Sequence, residues 1–202
     1  MEKDTTMRNA QSKKKLIIIL VALAILIGAA LTVIIVLQNP PQPEIPHAIR
    51  FKEEYPMVSE DNPYVYKSIK EIADIMEKGT GLIFLGFPSC IWCQAYTAIL
   101  DEVAADQGVK EIYYCDIKED RENNSAQYQR LVKMLEGRLE LNSEGNPRIF
   151  VPDLTAVKNG VIVGHDNESS TLSDIDPVDY WTIGRVNALK QRMETMIKEM
   201  MQ

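Results

Sequence analysis

Residues 16–37, LIIILVALAILIGAALTVIIVL, run for 22 positions without a charged side chain. As an α-helix at about 1.5 Å per residue the run reaches roughly 33 Å, enough to cross a hydrocarbon core about 30 Å thick. A helix of that length buried in a water-soluble domain normally keeps a polar stripe, and this one has none. The flanks give a direction. Lys3, Arg8, Lys13, Lys14 and Lys15 precede the run, whereas QNPPQPEIPHA (38–48) carries no Lys or Arg. The positive-inside rule then predicts a single-pass protein of the cell membrane, with the N-terminus cytoplasmic and residues 38–202 extracytoplasmic. A cleaved signal peptide is the competing reading. Against it, the run exceeds the usual signal core, no small-x-small site closes it, and no cysteine there can accept a lipid.

The remaining organisation follows from composition shifts. Pro40, Pro41, Pro43 and Pro46 favour an extended, semi-rigid spacer beyond the lipid surface. The expected layout is a basic cytoplasmic tail (1–15), a transmembrane helix (16–37), a proline-rich linker and extension (38–62) and one folded domain (63–202). The chain has a formal net charge of −7 although its tail is locally positive, so the outer part is more acidic still. That balance argues against a nucleic-acid-binding surface.

Within the domain, Ser68-Ile69-Lys70-Glu71 fits a capping box, and Ile69, Ile72, Ala73 and Met76 recur at helical spacing, so a helix is predicted over 69–78. LIFLGF (82–87) reads as a buried strand. After Cys90 the pattern turns helical, with Ile91, Ala95, Ile99 and Val103 as the apolar face and Gly108 as the stop. VKEIYYCDI (109–117) is a second strand. Residues 125–136 form a helix with Tyr128, Leu131, Val132 and Leu135 inward. RIFVPDL (148–154) and VIVG (161–164) make a hairpin about Asn159-Gly160. A last helix buries Val186, Leu189, Met193, Met196 or Ile197, and Met200. Parallel crossovers followed by a hairpin demand an α/β fold with a mixed central sheet and helices on its faces.

Cys90-Ile91-Trp92-Cys93 stands at the junction of strand and helix. Free backbone N–H groups and the dipole at a helix start favour a thiolate at the first cysteine. The second, one turn on, can reach the first sulfur, and Pro88 helps to end the strand. A C-x-x-C pair between a buried strand and an amphipathic helix points to a dithiol redox couple. Two other uses of the pair stay open. A structural zinc site needs four ligands, and Cys90, Cys93, Cys115, His47 and His165 make Cys₃His numerically possible. An inert disulfide is permitted outside the membrane, although so small a loop contributes little stability. Cys115 reads as a buried core thiol and His165 as a surface residue with nothing nearby to make it a base.

GFPSCIWCQ and its strand–helix setting resemble the motif of thioredoxin-like proteins, in particular bacterial membrane-anchored members such as bacteriocin transport accessory proteins. The resemblance covers residues 63–202, about two-thirds of the chain. It implies a thioredoxin-like fold, Cys90 as attacking and Cys93 as resolving cysteine, and a cis-proline opposite the pair. Pro147 in EGNPRIFVPDL is the matching position. The backbone of Asn146 would then pair with an extended client segment, and Trp92 would contribute to substrate binding. Two departures stand out. Phe84 occupies the place of the buried acid that assists the resolving cysteine in thioredoxin, and the segment 120–145 exceeds the minimal fold. The expected function is thiol–disulfide exchange with protein clients, with no metal or other cofactor and with a separate redox partner for recycling. A non-catalytic accessory that docks clients during export is the alternative from a different class.

Overall fold

The computed structural model describes residues 45–202, apart from 170 and 173, together with Ile25 and Gly28. The transmembrane helix expected over 16–37 lies outside the described residues. Among those residues no helix is long and apolar enough to cross a membrane.

The described compact unit is Ile45–Gln202, so it begins ahead of the boundary expected at residue 63. Its elements in chain order are α1 (His47–Glu54), β1 (Tyr64–Tyr66), α2 (Ile69–Lys78), β2 (Gly81–Gly86), α3 (Ile91–Gln107), β3 (Ile112–Asp116), α4 (Lys118–Glu122), α5 (Ala126–Met134), β4 (Asp153–Lys158), β5 (Val161–Asp166), α6 (Pro177–Tyr180) and α7 (Ile183–Met201). The strands form one mixed sheet in the order β1-β3-β2-β4-β5. β3 pairs in parallel with both β1 and β2, and β4 pairs antiparallel with β2 and β5. This five-stranded sheet flanked by helices is compatible with the expected thioredoxin-like fold.

Local chemistry accounts for the element ends. At α2 the capping box forms as expected: Glu71 N–H donates to Ser68 Oγ, and Ser68 N–H donates to Glu71 Oε2 at 2.8 Å. The β4–β5 turn places Asn159 at φ 50° and Gly160 at φ 76°, the two positive values that a type I′ hairpin turn requires.

Side-chain alternation assigns the two faces of the sheet. Phe84 of β2 stacks on Tyr96 of α3 and on Tyr114 of β3, and Gly164 of β5 abuts Met196 of α7. Helices α3 and α7 therefore share one face. Cys115, which alternates with Tyr114, senses the charge of Glu71 on α2, so α2 covers the other face together with α5. The large buried rings gather on the α3 side. Phe51 of α1 stacks on Tyr55 and Tyr64, and Tyr114 meets Phe51 edge-on. Such ring pairs contribute about 0.5–1.5 kcal/mol each beyond their area burial. Their hydroxyls are satisfied: Tyr55 Oη lies 3.1 Å from Tyr114 Oη, and Tyr64 donates to Thr97 O at 3.0 Å. This cluster draws α1 into the core, out of a stretch that reads as linker.

Three details differ from the sequence reading. The inward stripe of α3 is Trp92, Cys93, Tyr96, Leu100 and Val103, while Ile91 is 60 % exposed. The predicted apolar face is thus rotated, because aromatic and sulfur side chains on the neighbouring face fill the larger volume. Residues 148–152 approach the sheet without joining it, and β4 starts at Asp153, just after Pro152. His165 is also not a surface residue. Its side chain is 7 % exposed, and Nε2 lies 2.8 Å from Oδ2 of the fully buried Asp153.

Candidate active site

β2 ends at Gly86, a short turn through Phe87-Pro88-Ser89 follows, and Cys90 becomes the N-cap of α3. Cys90 N–H donates to Phe87 O at 3.1 Å, which closes the turn. Cys90 Sγ then accepts the N–H of Cys93 at 3.1 Å, as a serine or aspartate oxygen does at an ordinary N-cap. All three cysteines are free thiols.

The pair is electrostatically unequal. The side-chain hydrogen bond from Cys93 holds the Cys90 thiol below its ordinary value; burial opposes this, while the N–H groups of Cys93 and Trp92 and the charge of Arg121 add to it. Burial pushes Cys93 far up, reinforced by the hydrogen bond to Cys90 and its charge. One sulfur is therefore partly exposed and the more easily ionised of the two, and its neighbour is buried with a raised value. Beneath them the packing is tight. A Cβ on Gly86 would meet the Phe84 ring at 3.0 Å and Cys93 Sγ at 3.3 Å. Gly86 thus lies between the Phe84 ring and Cys93 Sγ with little space to spare.

The expected substrate residues are only partly brought together. Trp92 is 6 % exposed and packs edge-on against Tyr180 at 5.2 Å and Trp181 at 6.4 Å. Its ring supports α3 and α6 rather than presenting itself to a client. Pro147 is not the cis-proline; the cis peptide bond is Val151–Pro152. Pro147 instead bridges Leu141 in a small antiparallel turn. Asn146 is unsuited to strand addition, because its N–H donates to Asn142 Oδ1 at 2.9 Å and its carbonyl accepts Asn142 N–H at 2.8 Å. The backbone that faces the thiols belongs to Val151, whose carbonyl oxygen lies 3.8 Å from Cys90 Sγ.

Asn146 and Pro147 do line a pocket of about 440 Å³, together with Arg121, Tyr128, Asn142 and Arg148. Arg121 ties this pocket to the cysteines. Its guanidinium sits 4.8 Å over the Phe87 ring, and its charge is felt by both thiols. Sequence reasoning passed over Arg121, Arg148 and Val151. The Pro in FVPD is the signal for Val151, since a proline inside an apparent strand demotes it. No spacing rule marks the arginines.

The residues weighed as zinc ligands are dispersed. Cys115 is buried on the opposite face and its thiol is pushed up to about 12 by burial and the nearby carboxylates of Asp120, Asp116 and Glu71. His47 Nδ1 accepts Tyr66 N–H at 3.3 Å, and His165 is held by Asp153. Among the described residues no group of three or more His, Cys, Asp or Glu could hold a metal ion. Comparison of the chain with protein-family models and with curated proteins gave no match.

Proposed function

We propose that this protein is a thioredoxin-like thiol–disulfide oxidoreductase that acts on protein clients outside the cell membrane, anchored through residues 16–37. The observation that carries the reading is the polarised pair at the β2–α3 junction: an ionisable Cys90 at the helix N-cap and a buried, protonated Cys93 one turn later. The five-stranded mixed sheet that sets this junction supports it. The uncharged run 16–37 and the basic residues ahead of it support the anchor and the outward orientation.

The chemistry balances without a cofactor. Cys90 thiolate attacks one sulfur of a client disulfide; a Cys90–client disulfide forms, and the other client sulfur leaves as a thiolate and takes up a proton. Cys93 then gives up its proton and attacks Cys90 Sγ. The mixed disulfide breaks, the second client sulfur leaves and is protonated, and a Cys90–Cys93 disulfide remains. Two electrons have passed from the protein to the client, with one proton from Cys93 and one from solvent, which received the proton of Cys90 when it ionised. The reverse sequence oxidises a client, and a dithiol or disulfide protein resets the pair. An extended client backbone would align along Val151, whose carbonyl oxygen lies 3.8 Å from Cys90 Sγ.

Trapping tests this reading. A Cys93→Ser variant should accumulate mixed disulfides through Cys90, and the intact protein should reduce insulin with a dithiol donor. Absence of both would remove the enzymatic reading. Client handling that survives Cys90→Ser/Cys93→Ser would favour the docking accessory instead.

A further inference from the structure

Two arginines, Arg121 over the Phe87 ring and Arg148 over the Phe150 ring, line one pocket, and neither forms an ion pair with a carboxylate among the described residues. Three other arginines meet carboxylates: Arg50 meets Glu54 at 3.1 Å, Arg130 meets Asp74 and Glu77, and Arg192 meets Asp166 and Glu168. Arg121 and Arg148 differ. Each buries its Nε without a hydrogen-bond partner, and both line the same pocket of about 440 Å³. They sit close enough that burial and the charge of Arg148 hold Arg121 below its usual value. A buried donor left unpaired costs free energy, and two like charges close together add to that cost. An anion in the pocket offsets the like-charge cost.

The surroundings define that anion. Asn142, Asn146 and Tyr128 are its neutral polar lining, with Asn142 Oδ1 already accepting the N–H groups of Glu144 and Asn146 and Tyr128 Oη that of Ile149, and Glu144 is its acidic member. A guanidinium presents planar, forked donors that match a carboxylate. The volume suits a side chain with its neighbouring backbone rather than a bare ion. Arg121 also reaches the cysteines: it lies over Phe87, whose carbonyl accepts the N–H of Cys90. Arg121 thus links an anion in the pocket to the Cys90 thiol, whose value its charge helps to lower.

We propose that the Arg121–Arg148 pocket binds a carboxylate side chain flanking the client cysteine, so that the protein selects acidic client segments. The inference rests on the reading of Cys90–Cys93 as an exchanging couple. It also gives a role to segment 120–145, whose turn and helices build the pocket wall.

Two peptide disulfides that differ only in flanking residues, two Glu in one and two Gln in the other, provide the test. Their binding is measured on full-length Cys90→Ser/Cys93→Ser protein, where no exchange can occur, and their exchange rates on the intact protein. The Glu peptide should bind about tenfold more tightly at low salt, as expected for a charge-assisted pair. The preference should shrink with added salt and fall below about twofold in Arg148→Gln and in Arg121→Gln. If either variant fails to fold, the other and the salt titration still decide. Equal binding of the two peptides would overturn the inference while leaving exchange intact. Inorganic phosphate binding as tightly as the Glu peptide would also overturn it, by showing a site for free anions. Failure of both peptides to exchange, with the Glu preference retained in binding, would instead overturn the redox reading.

Discussion

Cys93 N–H donates to Cys90 Sγ at 3.1 Å, so the backbone of the second cysteine stabilises charge on the first. The same turn of helix buries the side chain of Cys93, with its sulfur close to Gly86. One local geometry thus divides the labour between two identical residue types.

The first consequence is kinetic. Alkylation of the native protein should modify Cys90 first, with a pH profile that inflects below the ordinary thiol value of about 8.5. Cys93 and Cys115, both buried with raised values, should react only after unfolding. Mass spectrometry of iodoacetamide-treated protein across a pH series reads this directly. Equal labelling of Cys90 and Cys93 would contradict the assignment of roles.

α1 should prove part of the domain. Phe51 is fully buried and touches Tyr55, Tyr64, Tyr66 and Tyr114. Phe51→Ala should cost about 3–5 kcal/mol in chemical denaturation. Loss of less than about 1 kcal/mol would mean that α1 is an appendage, since surface changes stay near that size.

The buried Asp153–His165 pair should make stability depend on pH. Burial alone would lower His165, but the hydrogen bond and charge of Asp153 more than offset this and hold it above its ordinary value. The folded state therefore keeps a proton that the unfolded state releases. The stabilisation is complete below the unfolded value of about 6.5 and is lost as pH rises through the folded value. Denaturation midpoints should fall over that window, and His165→Gln should lack this component. His165→Ala should cost about 3–5 kcal/mol by leaving Asp153 buried without its partner. A midpoint that rises across the same window would contradict the pairing.

The floor of the site gives a further test. Gly86→Ala places a methyl group 3.0 Å from the Phe84 ring and 3.3 Å from Cys93 Sγ. Phe84 is held between Tyr96 and Tyr114 and has little freedom to yield. The variant should lose about 1–3 kcal/mol of stability. It should also release mixed disulfides more slowly than the parent, because the resolving sulfur is displaced. Wild-type stability and resolution rate in Gly86→Ala would show that the packing there is loose.

Much of this was legible before any coordinates. Ser68 and Glu71 announced a helix start because capping is local chemistry, and Asn159-Gly160 announced its turn because few residues accept positive φ. The place of Cys90 and Cys93 at the start of a helix after a buried strand was legible for the same reason, since it lies in a short local spacing. What escaped was long-range. Phe51 looks like linker until Tyr64 and Tyr114 arrive from elsewhere in the chain to stack on it. His165 looks exposed until the hairpin register sets it diagonal to Asp153. Pro147 and Pro152 are both credible partners for the cysteines on spacing alone. The compact turn at 142–146 consumes the backbone of Asn146, and the carbonyl beside Cys90 is that of Val151. Arg121 and Arg148 are distant in sequence, and only the folded segment 120–148 shows that they share a pocket.

Redox titration of the full chain tests the central claim most directly. The protein is equilibrated in buffers of graded dithiol–disulfide ratio, quenched with acid, alkylated and weighed. The account predicts one reversible two-electron transition in which Cys90 and Cys93 are lost to alkylation together while Cys115 stays free. Cysteines that remain fully alkylated across the whole series, or a bridge that once formed cannot be reduced, would contradict it.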